Sequence, residues 1–106
     1  MKPKEEVVKI IKDRLTDQEL KKSIVYWDHT VKEKGYSFII GSRTVEMPFN
    51  GTIAFADLKP NANLGHPFKC FLIDAARKNV QVIDALYPPD GRPHNFHVIL
   101  SHGKMK

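Results

Sequence analysis

The chain has 106 residues, a mass of 12.1 kDa, a formal charge of +5 and a sequence pI near 9.4, which suits one domain able to take roughly 60–70% of its unfolded surface out of water without a metal or a disulfide. Its single cysteine, Cys70, excludes an intrachain disulfide. The opening MKPKEEVVKIIKDR breaks its apolar residues with Lys and Glu, so it lacks a signal-peptide run, and no window nears the ~18 apolar residues of a membrane span; the expected setting is cytoplasmic, with no membrane contact and no cofactor.

The basic excess is spread thinly. Residues 1–34 carry nine basic and seven acidic side chains, and residues 35–106 carry eight and five. Such mixed charge describes a solvated surface, while the net sign leaves nucleic acid open as an acidic partner.

Residues 4–15 predict an amphipathic helix, with Val7, Val8, Ile10, Ile11 and Leu15 at three- and four-residue spacings. Pro3 suits a first turn, and Glu5 and Glu6 suit a helix amino terminus. Thr16-Asp17-Gln18-Glu19 has the form of a capping box, so a second helix is expected from Asp17. Leu20, Ile24, Trp27 and Val31 share a helical face and Lys34-Gly35 resembles a carboxy-terminal cap, which extends that helix to Lys34. The competing reading takes the β-formers Ile24-Val25-Tyr26-Trp27 as a strand. The helical segment is accordingly expected over 4–34, as one or two helices.

From Gly35 the period changes to two. Strands are expected over 36–40 and 43–49, joined by a type II′ turn at Gly41-Ser42, and over 52–56, after an Asn50-Gly51 hairpin turn. Further strands are expected over 68–73, 80–85 and 95–101, leaving a basic tail at 102–106. Pro48 inside the second strand would put that strand at an edge or bulge it there. The result is a single α+β domain over 1–106, in which a mostly antiparallel five- to six-stranded meander (36–101) curls around the helical segment. In outline this resembles cystatin-like and hotdog-like sheets, which implies a fold and not a function.

Two loops stand out. The first spends about nine residues before Phe68, where connections usually run about 4–6; it carries Asp57, Asn61, Asn63 and His66. The second, Tyr87-Pro88-Pro89-Asp90-Gly91-Arg92-Pro93, cannot supply ladder donors at its prolines. Asp57, Asn61, Asn63, His66, Tyr87 and Arg92, with His94 and His97 beyond them, are the candidate binding residues; no catalytic residue is assigned.

Three chemistries compete for these residues. A protein-binding module would use the two loops as its contact surface, since proline-rich segments lose little entropy on binding, and unpaired strand edges would also allow a homodimer. A nucleic-acid binder or small ribonuclease would use His94, His97 or His102 as acid and base, Arg92 or Lys104 on phosphate, and sheet aromatics for stacking. A metal- or thiol-dependent enzyme would use His66 and Cys70, but Cys70 sits among Phe68, Phe71 and Leu72 and reads as a core residue. No metal site is assigned, because His94 and His97 would fall on opposite faces of a strand. The His66-Pro67 pair, the sheet and the Tyr87-Pro88-Pro89 loop resemble the ubiquitin-conjugating enzymes in outline. In those enzymes the active cysteine follows a His-Pro-Asn motif after the sheet, whereas Cys70 lies within a strand, so none of that chemistry is carried over. The leading expectation is a binding domain with a protein partner and no enzyme activity.

Overall fold

In a computed structural model the chain is described over residues 2–63, 65–90 and 95–106. It is an α+β domain of three layers, with two short helices on one face of a six-stranded sheet and a three-stranded sheet on the other.

Helix α1 (Pro3–Lys12) starts on Pro3, carries Glu5 and Glu6 in its first turn and Lys9 and Lys12 in its last, and buries Val7, Val8 and Ile11. Helix α2 (Asp17–Lys22) is held by the expected capping box: the Glu19 amide donates to Thr16 Oγ1 at 3.1 Å, and the Thr16 amide donates to Glu19 Oε1 at 2.9 Å.

There the extended helix fails. Ser23 turns to extended backbone (ψ 158°) and residues 24–32 form strand β1 (Ile24–Lys32), not helix. The helical spacing of Leu20, Ile24, Trp27 and Val31 was coincidental, because β1 lies in the middle of the sheet with both faces covered near its start. There both alternating sets, Val25/Trp27 and Tyr26/Asp28, carry bulky or buried side chains.

The remaining strands are β2 (Ser37–Ile40), β3 (Arg43–Glu46), β4 (Gly51–Asp57), β5 (Phe68–Asp74), β6 (Val80–Ala85), β7 (Pro89–Asp90), β8 (His97–Ser101) and β9 (Lys104–Met105). The large sheet runs β6-β5-β4-β1-β8-β9, and the small one runs β3-β2-β7. Gly41-Ser42 makes the expected tight turn, with Ile40 opposite Arg43 and Gly41 at φ +63°. Asn50-Gly51 does not make a hairpin, since β3 and β4 belong to different sheets. Gly51 is required for packing instead: a Cβ there would stand 2.1 Å from the Ile73 carbonyl oxygen of β5. Strand β3 ends at Glu46, so Pro48 lies outside it. The 102–106 tail is not loose, because Lys104 pairs with Ser101.

The two faces of the large sheet have different covers. Val25, Trp27, Ala54, Ala56, Phe71 and Ile73 meet Val7, Val8 and Ile11 of α1. On the other face Ile53, Cys70, Leu72 and Ile83 meet Phe38, Ile40, Val45 and Met47 of the small sheet and its flank. The meander is therefore interrupted: β2 and β3 leave the main sheet to cover a face that would otherwise expose Ile53, Cys70 and Leu72.

Between Asp28 and Lys32, β1 advances four residues while β4 advances two, from Ile53 to Gly51. This irregularity brings Lys32 Nζ within 2.9 Å of Asp28 Oδ2. Both side chains are buried, and the Thr30 amide (2.9 Å) and Asn95 amide (3.3 Å) donate to the same carboxylate. Burial works to raise the Asp28 pKa, but the Lys32 ammonium and the two amides outweigh it and hold the group below the ordinary value.

Candidate functional site

Asp57, the last residue of β4, lies opposite Phe68, the first of β5, and the loop 58–67 leaves and returns between them. The Leu58 amide donates to the Pro67 carbonyl at 3.2 Å and closes the base of the loop. Above it, Asp57 Oδ1 accepts the Lys59 amide at 3.0 Å, an Asx turn of the kind aspartate favours, and the Ala62 amide donates to the Lys59 carbonyl at 3.0 Å. His66 then folds back into the loop. Its Nε2 meets Asp57 Oδ1 at 2.8 Å, its Nδ1 meets the Asn63 carbonyl, and its ring stacks on Phe68 with centroids 4.5 Å apart.

Both partners of the His66 ring are acceptors, so a ring that satisfies them carries a proton on each nitrogen. The Asn63 carbonyl, and beside it the Asp57 carboxylate, raise the His66 pKa against burial and the nearby Lys59 ammonium. In this geometry neither nitrogen has a lone pair directed to a substrate. Both ring nitrogens are engaged within the loop, and the pair acts as a clasp that holds it closed.

The second loop lies beside the first. Tyr87 packs on Gly41, and a Cβ built on Gly65 would stand 3.9 Å from the Tyr87 hydroxyl. The structure thus brings Asp57, Asn63, His66 and Tyr87 into one region, with Asn61 exposed in the same loop. His97 is elsewhere: it lies opposite Trp27 on β1, with its ring 6.3 Å from that of His29. Arg92 and His94 lie outside the described residues.

Cys70 is buried, and burial pushes its thiol up to about 12, partly offset by Arg43. At neutral pH it is a thiol, not a thiolate nucleophile. Among the described residues no group of three or more His, Cys, Asp or Glu side chains converges as metal ligands would.

Sequence reasoning missed a groove of about 520 Å³ between the carboxy-terminal end of α2 and the loop 58–67. Leu58, Pro60 and Ala62 give it an apolar wall, while Lys21, Lys22, Lys59 and His102 supply its charged and titratable groups. Among the described residues no carboxylate lines it and none of the three lysines has an ion-pair partner. His102 is fixed there at φ +52°, its amide donating to the Ser23 carbonyl at 2.9 Å and its Nδ1 facing the Lys21 carbonyl at 3.0 Å. The sequence signal was the Lys21-Lys22 pair closing a capped helix, hidden once that helix was extended to Lys34.

No family model, no curated protein and no solved structure matches the chain. No helix of the described residues is long and apolar enough to cross a membrane.

Proposed function

We propose that the chain is a small binding domain that holds an acidic segment of a partner protein in the groove between α2 and the loop 58–67. The supporting observation is the groove's composition: among the described residues, three lysines without ion-pair partners surround an apolar wall and no carboxylate interrupts them. Such a lining favours carboxylates flanked by apolar side chains, with the Leu58 and Pro60 surface supplying contact area and the lysines supplying orientation. The proposed setting is the cytoplasm.

Nucleic acid is the second reading, since phosphate would use the same lysines. It is the weaker one: Phe38, Phe55, Phe68 and Phe71 are buried and not open to stacked bases. One titration separates the two. An acidic peptide containing Leu and a short mixed-sequence RNA are each added to isotopically labelled protein at low and at physiological salt. The expected result is peptide-induced shifts at Lys21, Lys22, Lys59 and His102, weakened about tenfold or more by the triple variant K21E/K22E/K59E, at roughly 0.5–1 kcal/mol for each lost charge contact. Shifts with RNA alone would give the groove to phosphate. Shifts with neither ligand would remove the groove as a site.

A further inference from the structure

We infer that β6 is an interface strand, and that it pairs antiparallel with β6 of a second copy of this chain. A sheet edge presents unpaired backbone donors and acceptors, which folded proteins protect with short strands, charges, proline or bulges. The other edges of this molecule have that protection. Strand β9 has two residues, one of them Lys104; β7 has two and begins with Pro89; β3 exposes Arg43, Thr44 and Glu46.

Strand β6 has little of it. It runs six residues, Val80-Gln81-Val82-Ile83-Asp84-Ala85, without lysine or proline, and its register with β5 is unbroken from Ile73–Val80 to Phe68–Ala85. Among the described residues no backbone hydrogen bond beyond the β5 ladder involves residues 80–85. Val82, Leu86 and Tyr87, three of the seven exposed large apolar side chains among the described residues, lie in this strand or directly after it.

The sequence of the edge also complements itself. A twofold axis normal to the sheet keeps both helix layers on one side, so residues facing each other across it must point to the same face. Val80, Val82 and Asp84 share a face, since their partners on β5 are Ile73, Phe71 and Lys69. With the axis at Gln81, Val82 faces the second copy's Val80, and Asp84 comes opposite its Lys78, in the turn two residues before β6, each once in either direction. Lys78 is exposed and without an ion-pair partner among the described residues. Moving the axis to Val82 would set Asp84 against a valine, so charge favours the first register. Two six-stranded sheets then join into one.

The test is sedimentation velocity of the full chain from about 1 to 500 µM. A reversible dimer is expected, weakened about tenfold by K78E or by D84K, restored by K78E/D84K, and lost in V82K, which places a charge at the centre of the edge. Circular dichroism and urea midpoints of the monomer check that each variant folds; K78E alters only an exposed turn. A monomer at every concentration, a dimer indifferent to V82K, or a double charge exchange that fails to restore what the single changes removed would each overturn the inference. Because none of these residues lines the groove, the result is independent of peptide binding.

Discussion

Lys32→Met probes the deepest electrostatic commitment in the fold. Asp28 is 1% exposed and Lys32 8%, and their 2.9 Å contact lies inside the irregular end of β1. Removing the ammonium leaves a carboxylate buried with the amides of Thr30 and Asn95 still donating to it. Breaking a buried pair from one side costs about 3–5 kcal/mol; since the Thr30 and Asn95 amides still donate, the lower end, about 3 kcal/mol, is expected at pH 7. That corresponds to a fall in Tm of about 12 °C or more for a domain of this size. The pH dependence supplies the sharper check. The folded-state pKa of Asp28 lies below its unfolded value, so its stabilisation is present above the unfolded pKa and is lost as pH falls through the folded one. In the variant the carboxyl, without the ammonium beside it, takes up a proton more readily, and the gap between the two proteins should narrow as pH falls. Urea unfolding at pH 7 and pH 3.5 measures both quantities. A loss under about 1 kcal/mol at pH 7, or an equal loss at both pH values, would refute the reasoning. Asp28→Asn combined with Lys32→Met should recover part of the loss, because a neutral amide does not need the cation.

The His66 clasp has the opposite sign. Its folded pKa is raised, so its contribution to loop order is complete below the unfolded value and disappears as pH rises through the folded one; hydrogen exchange in residues 58–66 should quicken across that range, and His66→Gln should flatten the profile. Cys70 should react with a thiol reagent only at the rate of global unfolding, since it is buried and its thiol is held up to about 12. Rapid modification of native protein would return Cys70 to candidacy as a nucleophile.

Local chemistry was legible in the sequence and long-range pairing was not. The Thr16–Glu19 capping box, the Gly41 turn and the six residues of β6 each depend on neighbours within a few positions, and each stands where the spacing placed it. Strand β1 depends on β4 and β8, which are remote in sequence, and its double-sided burial removed the alternation that would have marked it. Gly51 was read as turn chemistry when its real constraint is the Ile73 carbonyl of another strand. The same limit applied to the candidate site. The loop was recognisable by its length and composition, and Asp57 and His66 were named from it. That His66 reaches back nine residues to Asp57, or that His102 arrives beside Lys21, is a matter of tertiary return.

The clasp and the groove bear on each other through Lys59. Its amide is fixed by Asp57, its ammonium lies close enough to His66 to lower that group's pKa, and it lines the groove with Leu58 and Pro60. A ten-residue loop left to order on binding would cost roughly 1 kcal/mol or more for each residue fixed, more than a few lysine contacts return. Holding the loop closed beforehand reduces that cost, and the Asp57–His66–Asn63 bonds do so while the ring keeps both protons. Under the proposed function, affinity for an acidic peptide should therefore fall as pH rises through the His66 pKa. His66→Gln should bind more weakly at low pH and show a smaller pH dependence, since the groove's own His102 is common to both proteins. Calorimetric titrations of the peptide from pH 5.5 to 8.5 decide the matter: equal pH dependence in both proteins would show that the clasp and the groove work separately.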